Sequence, residues 1–317
     1  MTDNLVTNTS QEKLNNNLAL QDHITICICT FKRPNYLERL LAVLQTLPSD
    51  DRFTYSIVVV DNDRIRSAED VVRSFKENSH VEIRYFPESI QNISLARNMA
   101  VRNSYGELIA FIDDDEFPDP KWLSTLYTAY RKYDAAGVLG PVKPHFENDP
   151  PSWIIKSKIL ERTLFESGTV IPHSKYTRTG NVLLRRDLFE TEEDYFDPEF
   201  GLLGGSDVIF FKRMMKKNKK FVWCNEAIVY ETVVPDRQKR LYYIKRAFTR
   251  GAGETRHLPF ISISTLKSIL AACLYTLALP FLLILNHSVF MKYLIKDCDH
   301  LGKLLAYCGI DVIKKRP

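Results

Sequence analysis

Five apolar residues in a row, Leu108-Ile109-Ala110-Phe111-Ile112, run straight into three carboxylates, Asp113, Asp114 and Asp115. A short, unbroken apolar run reads as a strand buried on both faces, the situation of a parallel sheet covered by helices. Carboxylates crowded at such a strand's exit repel one another unless a cation offsets them, which points to a divalent ion and a phosphorylated ligand. A solvated acidic turn is the plainer reading of the triplet alone. However, a second apolar run, residues 55–60, ends in Asp61-Asn62-Asp63. Two acid-bearing strand exits suggest one shared crevice, because open α/β sheets bind ligands beyond the carboxyl ends of their strands.

From Ile24 onward short apolar runs alternate with helical patterns, the rhythm of parallel βαβ units. Residues 24–30 read as the first strand, and Pro34 then opens a helix with Leu37, Leu40, Leu41, Leu44 and Leu47 on one stripe, stopped by Pro48. Ser67 with Asp70 should cap the next helix; residues 81–86 form a third strand and 94–104 a helix ended by Gly106. Asp119 is the expected N-cap of a helix through Trp122, Leu123, Leu126, Tyr127 and Tyr130, with Pro120 in its first turn. A strand over 136–142 closes the first half; residues 144–179, aromatic and irregular, resist placement. A strand from 180 to 186 leads through a short helix to the loop Gly201-Leu202-Leu203-Gly204-Gly205-Ser206-Asp207, which opens a further helix.

A net charge of +4 is too small to argue for nucleic acid, and Lys216-Lys217-Asn218-Lys219-Lys220 reads as a helix end with a solvated turn. Six cysteines without a CxxC or Cys/His zinc pattern fit a reduced, cytoplasmic setting. Residues 1–22 are rich in Asn and Thr, with no signal-type apolar run, and read as a disordered leader. Residues 268–291 carry no Asp, Glu, Lys or Arg, enough to reach across a bilayer core. Because Pro280 interrupts this stretch, a hairpin buried inside the protein is the competing reading.

Taken in order, Thr30-Phe31-Lys32-Arg33-Pro34, Val60-Asp61-Asn62-Asp63, Ala96-Arg97-Asn98, the Asp113 to Asp115 triplet, Gly180-Asn181 and Gly204-Gly205-Ser206-Asp207 resemble the inverting glycosyltransferases of family 2. The later Val229-Tyr230-Glu231 and Arg246-Ala247-Phe248-Thr249-Arg250-Gly251 are similar to the exopolysaccharide branch of succinoglycan type. The resemblance implies an α/β fold of GT-A type, with a mixed, mostly parallel sheet flanked by helices over residues 23–256. A helical, apolar, membrane-associated region, 257–317, would follow. It further implies that Asp115 ligates Mg²⁺ or Mn²⁺ and that Asp113 reaches the ribose or the metal shell, with Asp114 beside them. Asp61, helped by Asp63, would hold the nucleotide, and Thr30, Arg33 and Arg97 would meet the donor, which by the same resemblance is a UDP-sugar. Asp207 would be the base that takes the acceptor's proton, since a hydroxyl ionises far above neutral pH.

Three departures stand out. The family's Glu-Asp pair reads Ser206-Asp207 here, and where many relatives carry a metal-binding histidine this chain has Glu231, which either ligates the ion or holds a loop. The Gln-x-x-Arg-Trp motif of processive synthases is absent, with Arg237, Arg246 and Arg250 nearby; by the resemblance one of these, Arg250 being the candidate, faces the diphosphate, and spacing alone does not choose among them. The implied activity is transfer of one hexose to a lipid-linked or oligosaccharide acceptor at the cytoplasmic face of the inner membrane. A nucleotidyltransferase would need a glycine-rich phosphate loop after strand one, which Thr30-Phe31-Lys32-Arg33-Pro34 lacks. An inactive sugar-nucleotide-binding subunit of an assembly complex is the non-enzymatic alternative.

Overall fold

Parallel strands with continuous apolar sequence bury both faces, and here they do so in one seven-stranded sheet whose strands lie in the order Ile83–Pro87, Phe53–Asp61, Asp22–Thr30, Leu108–Ile112, Asn181–Arg185, Gly137–Leu139 and Phe221–Trp223. The computed structural model describes residues 21–48, 50–190, 195–202, 204–255 and 262–310. Most of the expected leader, residues 1–20, and the chain's end, 311–317, lie outside the described residues. The chain divides into two compact units, one comprising residues up to Lys143 with Thr163–Glu231, the other Pro144–Arg162 with Thr232–Pro317.

In the first unit the order is β1 (Asp22–Thr30), α1 (Pro34–Leu44), β2 (Phe53–Asp61), α2 (Glu69–Asn78), β3 (Ile83–Pro87), α3 (Ile93–Arg102), β4 (Leu108–Ile112), β5 (Glu116–Pro118), α4 (Trp122–Tyr133), β6 (Gly137–Leu139) and β7 (Val142–His145). It resumes with β8 (Asn181–Arg185), α6 (Ser206–Lys216), β9 (Phe221–Trp223) and β10 (Val229–Thr232). The second unit holds α5 (Ser152–Ser157), α7 (Arg240–Glu254), α8 (Ile263–Leu285) and α9 (His287–Tyr307). Strand β1 pairs in parallel with β2 and β4, whereas β8 runs antiparallel to β4 and β6.

Alternation along the strands splits the core between two faces. Ile24, Ile26, Ile28, Ile57 and Val59 pack against α1 and α4, and Cys27, Val58, Val60, Ile109 and Phe111 against α3 and α6. Strands β1 to β4 run parallel and so deliver their carboxyl ends to one edge of the sheet.

Several expectations about local structure need correction. Ala68, with no side-chain cap, replaces Ser67 and Asp70 at the start of α2, because its N–H is claimed by Asp61 Oδ2 at 2.8 Å. Asp119 forms a turn with Lys121 N–H instead of capping α4, which begins at Trp122. The single strand expected over 136–142 is two, divided at Gly140. A Cβ on Gly140 would lie 2.2 Å from Ala227 O, so the close approach there requires glycine. Pro280 sits inside α8 without ending it.

Asn181 holds these pieces together. Fully buried, it accepts from Trp122 Nε1 (2.8 Å) and donates to Pro141 O (2.9 Å) and Ala227 O (2.7 Å). Asn181→Ala strands the Trp122 indole N–H and the Ala227 carbonyl in the interior, while Pro141 O keeps the Val229 N–H. It should cost about 3 kcal/mol, read as a lower urea midpoint at unchanged slope; a loss under about 1 kcal/mol would mean that water replaces the amide.

Candidate active site

The exits of β1 and β4 meet through a compact set of charges. Thr30 Oγ1 donates to Asp114 Oδ2 at 2.7 Å, and Arg33 Nη1 reaches Asp114 Oδ1 at 3.2 Å and Asp115 Oδ2 at 2.9 Å. Both carboxylates are nearly inaccessible while the Arg33 side chain is 40% exposed, so the guanidinium covers them from the solvent side. Burial pushes Asp114 up to about 6 despite Arg33. Asp113 is also pushed up to about 6, chiefly by burial, with Arg97 opposing and Asp115, Asp114 and Glu231 adding repulsion.

Glu116, unassigned by sequence reasoning, belongs to this cluster. Its Oε2 accepts from Asp113 N–H at 2.9 Å, and burial, followed by the charge of Asp113, raises its carboxyl well above the usual range. Strand β5 sets Glu116 directly opposite Glu231 of β10. Gly180 completes the arrangement, since a Cβ there would come 2.7 Å from Glu116 Oε1 and 3.0 Å from Asp113 Oδ2.

At the exit of β2, Asp61 is fully buried and accepts from Asp63 N–H (3.1 Å), Ala68 N–H (2.8 Å) and Tyr85 Oη (3.1 Å). Its three donors come from the chain itself. Asp63 is different: only 3% exposed, it leaves Oδ2 buried with no partner among the described residues. Asn62, quoted in the motif but given no role, donates to Glu88 O and Ile90 O and accepts from Asn92 N–H. Asn92 in turn caps α3 through Ser94 and Leu95 and donates to Pro198 O, while a Cβ on Gly201 would fall 1.6 Å from its Oδ1. Asn98 adds a two-way bond to the Phe196 backbone. Local pattern does not announce these bonds: those of Asn92 to Pro198 and of Asn98 to Phe196 join residues about a hundred apart.

The loop before α6 is thereby tied to the strand exits. Gly204 and Gly205 have φ near +90°, open surroundings and no neighbour that a Cβ would meet, and Gly205 is the residue preceding α6. Ser206 is buried and accepts from Arg97 Nη1 at 3.0 Å, and the same guanidinium lies 5.7 Å from the Phe196 ring centre. Asp207, half-buried in the first turn of α6, accepts from Val208 N–H. Arg97 thus joins the helix that carries Asp207 to the field around Asp113. Arg250 lies in the second unit, on α7, and its Nε donates to Asp299 Oδ1 at 2.9 Å.

Among the described residues no group of three or more His, Cys, Asp or Glu is arranged as a ready cage for a metal ion. The donor set is nevertheless of the right kind. Mg²⁺ and Mn²⁺ are hard ions that take one or two carboxylates together with diphosphate oxygens, and buried, mutually repelling carboxylates at a strand exit suit that mode.

A sheet of this order with acids at its carboxyl edge is the frame of a GT-A nucleotide-sugar transferase, and the likeness extends to solved structures. The S. aureus TarS 1–349 complex with UDP-GlcNAc aligns over 90% of this chain and 92% of its own, with TM-score 0.53 and 15% identity. The Pyrobaculum calidifontis mannosyltransferase PcManGT, in complex with GDP-Man and Mn²⁺, covers 92% of this chain and 87% of its own, with TM-score 0.56 and 16% identity. The family model for glycosyl transferase family 2 matches residues 25–192. The succinoglycan biosynthesis protein ExoM of Rhizobium meliloti (strain 1021) is 34% identical over 239 residues, 74% of this chain and 75% of the relative. The chain belongs to glycosyltransferase family 2 and is a glycosyltransferase.

The raised carboxyls make a test possible. A group whose folded pKa of about 6 exceeds the unfolded 3.8 contributes stability that is fully present below 3.8 and is lost as pH rises through 6. Without divalent ions the chain should therefore be less stable at neutral pH than near pH ~5. Asp113→Asn should recover about 2 kcal/mol at neutral pH and little near pH ~4, measured by urea denaturation; an equal effect at both would discount the buried charge.

Proposed function

We propose that the enzyme is metal-dependent and inverting, and moves a hexose from a UDP-sugar to a hydroxyl of a lipid-linked oligosaccharide in cell-surface polysaccharide synthesis. The observation that carries this reading is the gathering of Thr30, Arg33, Asp63 and the acids 113 to 116 at one sheet edge, with Arg97 leading to the Asp207 helix. The relative named for succinoglycan biosynthesis supports polysaccharide as the product class, and the UDP-GlcNAc and GDP-Man complexes of the structural neighbours support a nucleotide-sugar donor.

In this reading Asp63 offers its unpartnered oxygen to an N–H or hydroxyl of the nucleoside, while Asp61 holds the loop that presents it. Asp115 and Asp113 would hold Mg²⁺ or Mn²⁺, with Glu231 behind them, and the ion, when bound, neutralises charge on the departing diphosphate. Arg33, which bridges Asp114 and Asp115, supplies a cation that can turn from the carboxylates to phosphate oxygens. Asp207 accepts the proton of the incoming hydroxyl as its oxygen attacks the anomeric carbon from the face opposite the leaving group, which inverts the centre. The open glycines before it leave room for that acceptor. Exposure of the apolar helix α8 supports attachment at the membrane, with the catalytic unit on the cytoplasmic side where UDP-sugars are found.

Asp207→Asn should bind UDP-sugar with Mn²⁺ as tightly as wild type by calorimetry yet transfer about 10²- to 10⁴-fold more slowly. Near-normal turnover would remove Asp207 as the base. Nuclear magnetic resonance of the product's anomeric centre would decide between inversion and retention.

A further inference from the structure

Helix α8 is 23 residues long, which at ~1.5 Å per residue matches the thickness of a bilayer core. Its packing inside the second unit points elsewhere. The buried positions Thr265, Ser268 and Ala272 lie on one face. Leu266, Leu270, Leu274, Leu277, Phe281 and Ile284 are exposed, spaced by three and four residues, and so form a stripe along the opposite face.

The covered face belongs to α9, which runs back along α8. Lys303 Nζ donates to Ser264 Oγ at 2.7 Å near the start of α8, and Thr276 Oγ1 donates to Asp297 Oδ2 at 3.0 Å about its middle. Asp297 is buried, and its Oδ1 has no partner among the described residues. Lys292 and Lys296 are exposed on α9, one turn apart. Were α8 to cross a bilayer, α9 would be drawn in beside it, leaving Asp297 at mid-depth and two lysines within the hydrocarbon, where ionised groups are strongly disfavoured. Lying flat, α8 immerses only its stripe and leaves α9 in water.

Charge identifies the surface. Residues 232–317 contain fourteen Lys and Arg against five Asp and Glu, although the whole chain is only +4. Lys245, Arg246 and Arg250 are exposed on α7, which packs with α9. Two copies of so basic a unit would repel if they met face to face, whereas an anionic headgroup layer attracts them.

We infer that the α8–α9 pair is an in-plane anchor: the stripe from Leu266 to Ile284 enters the interface of an anionic leaflet, and no segment of the pair crosses the bilayer. This rests on the membrane attachment proposed above and specifies its mode and lipid requirement. The test uses the full purified chain and sealed vesicles of phosphatidylcholine, alone or with about one-third phosphatidylglycerol. Binding should be at least about tenfold tighter to the anionic vesicles and should weaken in high salt. Leu270→Asp with Leu277→Asp should lower it at least about tenfold while leaving hydrolysis of soluble UDP-sugar unchanged, which separates failure of the anchor from failure of the enzymatic reading. In a background of Cys273→Ser and Cys308→Ser, His287→Cys at the turn between the helices should react with an impermeant maleimide added outside. Protection of this cysteine until detergent is added would overturn the in-plane arrangement. Equal binding to neutral vesicles would overturn the anionic requirement. A dimer in solution that the paired Leu substitutions split, without vesicle binding, would assign the stripe to a second copy instead.

Discussion

Four carboxylates at the exit of β4 cannot be buried together without compensation, and much of the first unit supplies it. Asp114 takes a hydroxyl from Thr30 and shares Arg33 with Asp115; Asp113 lies in the field of Arg97; Glu116 receives a backbone N–H. Even so, Asp113 and Asp114 remain up near 6, so the compensation is incomplete. An incompletely neutralised acid cluster at a ligand edge is a reservoir of binding energy for cations, since whatever brings positive charge there relieves repulsion already built into the fold. Arg33 is the exposed member, on the solvent side of the two carboxylates that it bridges.

Precision at the opposite wall of the crevice comes from amides in place of charges. Asn62, Asn92 and Asn98 fasten the β2 exit, the start of α3 and the backbone around Phe196 and Pro198 to one another. A buried amide satisfied on both its oxygen and nitrogen specifies geometry without the desolvation cost of an ion. Gly201 fits only because it has no Cβ to meet Asn92. The loop leading to Asp207 is thus pinned at Gly201 and has open space around Gly204 and Gly205.

Legibility in the sequence followed burial. Strands β1, β2 and β4 announce themselves because both faces are covered and their apolar runs are continuous, whereas β5, β6 and β9 span three residues each, too few for any period to show. Caps failed where a distant group outbid the local one: Asp61 takes the Ala68 N–H at the start of α2, so Ser67 has no role as a cap. The acid triplet, Arg33, Arg97 and Asp207 were visible as an ordered set of motifs. Glu116 was hidden beside the triplet, and the asparagines were hidden because a single amide paired across a hundred residues leaves no local trace. In the second unit composition showed an apolar stretch but not its disposition, which depends on the bonds from α9 to Thr276 and Ser264.

The serine at 206 gains a meaning from these contacts. An acid in its place would stand within hydrogen-bond reach of Arg97 and form an ion pair, drawing the guanidinium's charge toward α6. A hydroxyl fixes the same side chain through a neutral bond and leaves its charge acting on Asp113, where it is the largest influence opposing burial. A hydroxyl at 206 therefore leaves the positive potential of Arg97 directed at the acid cluster. Asp207 is left as the carboxylate in the first turn of its helix, accepting from Val208 N–H, while the arginine bonds the neighbouring hydroxyl.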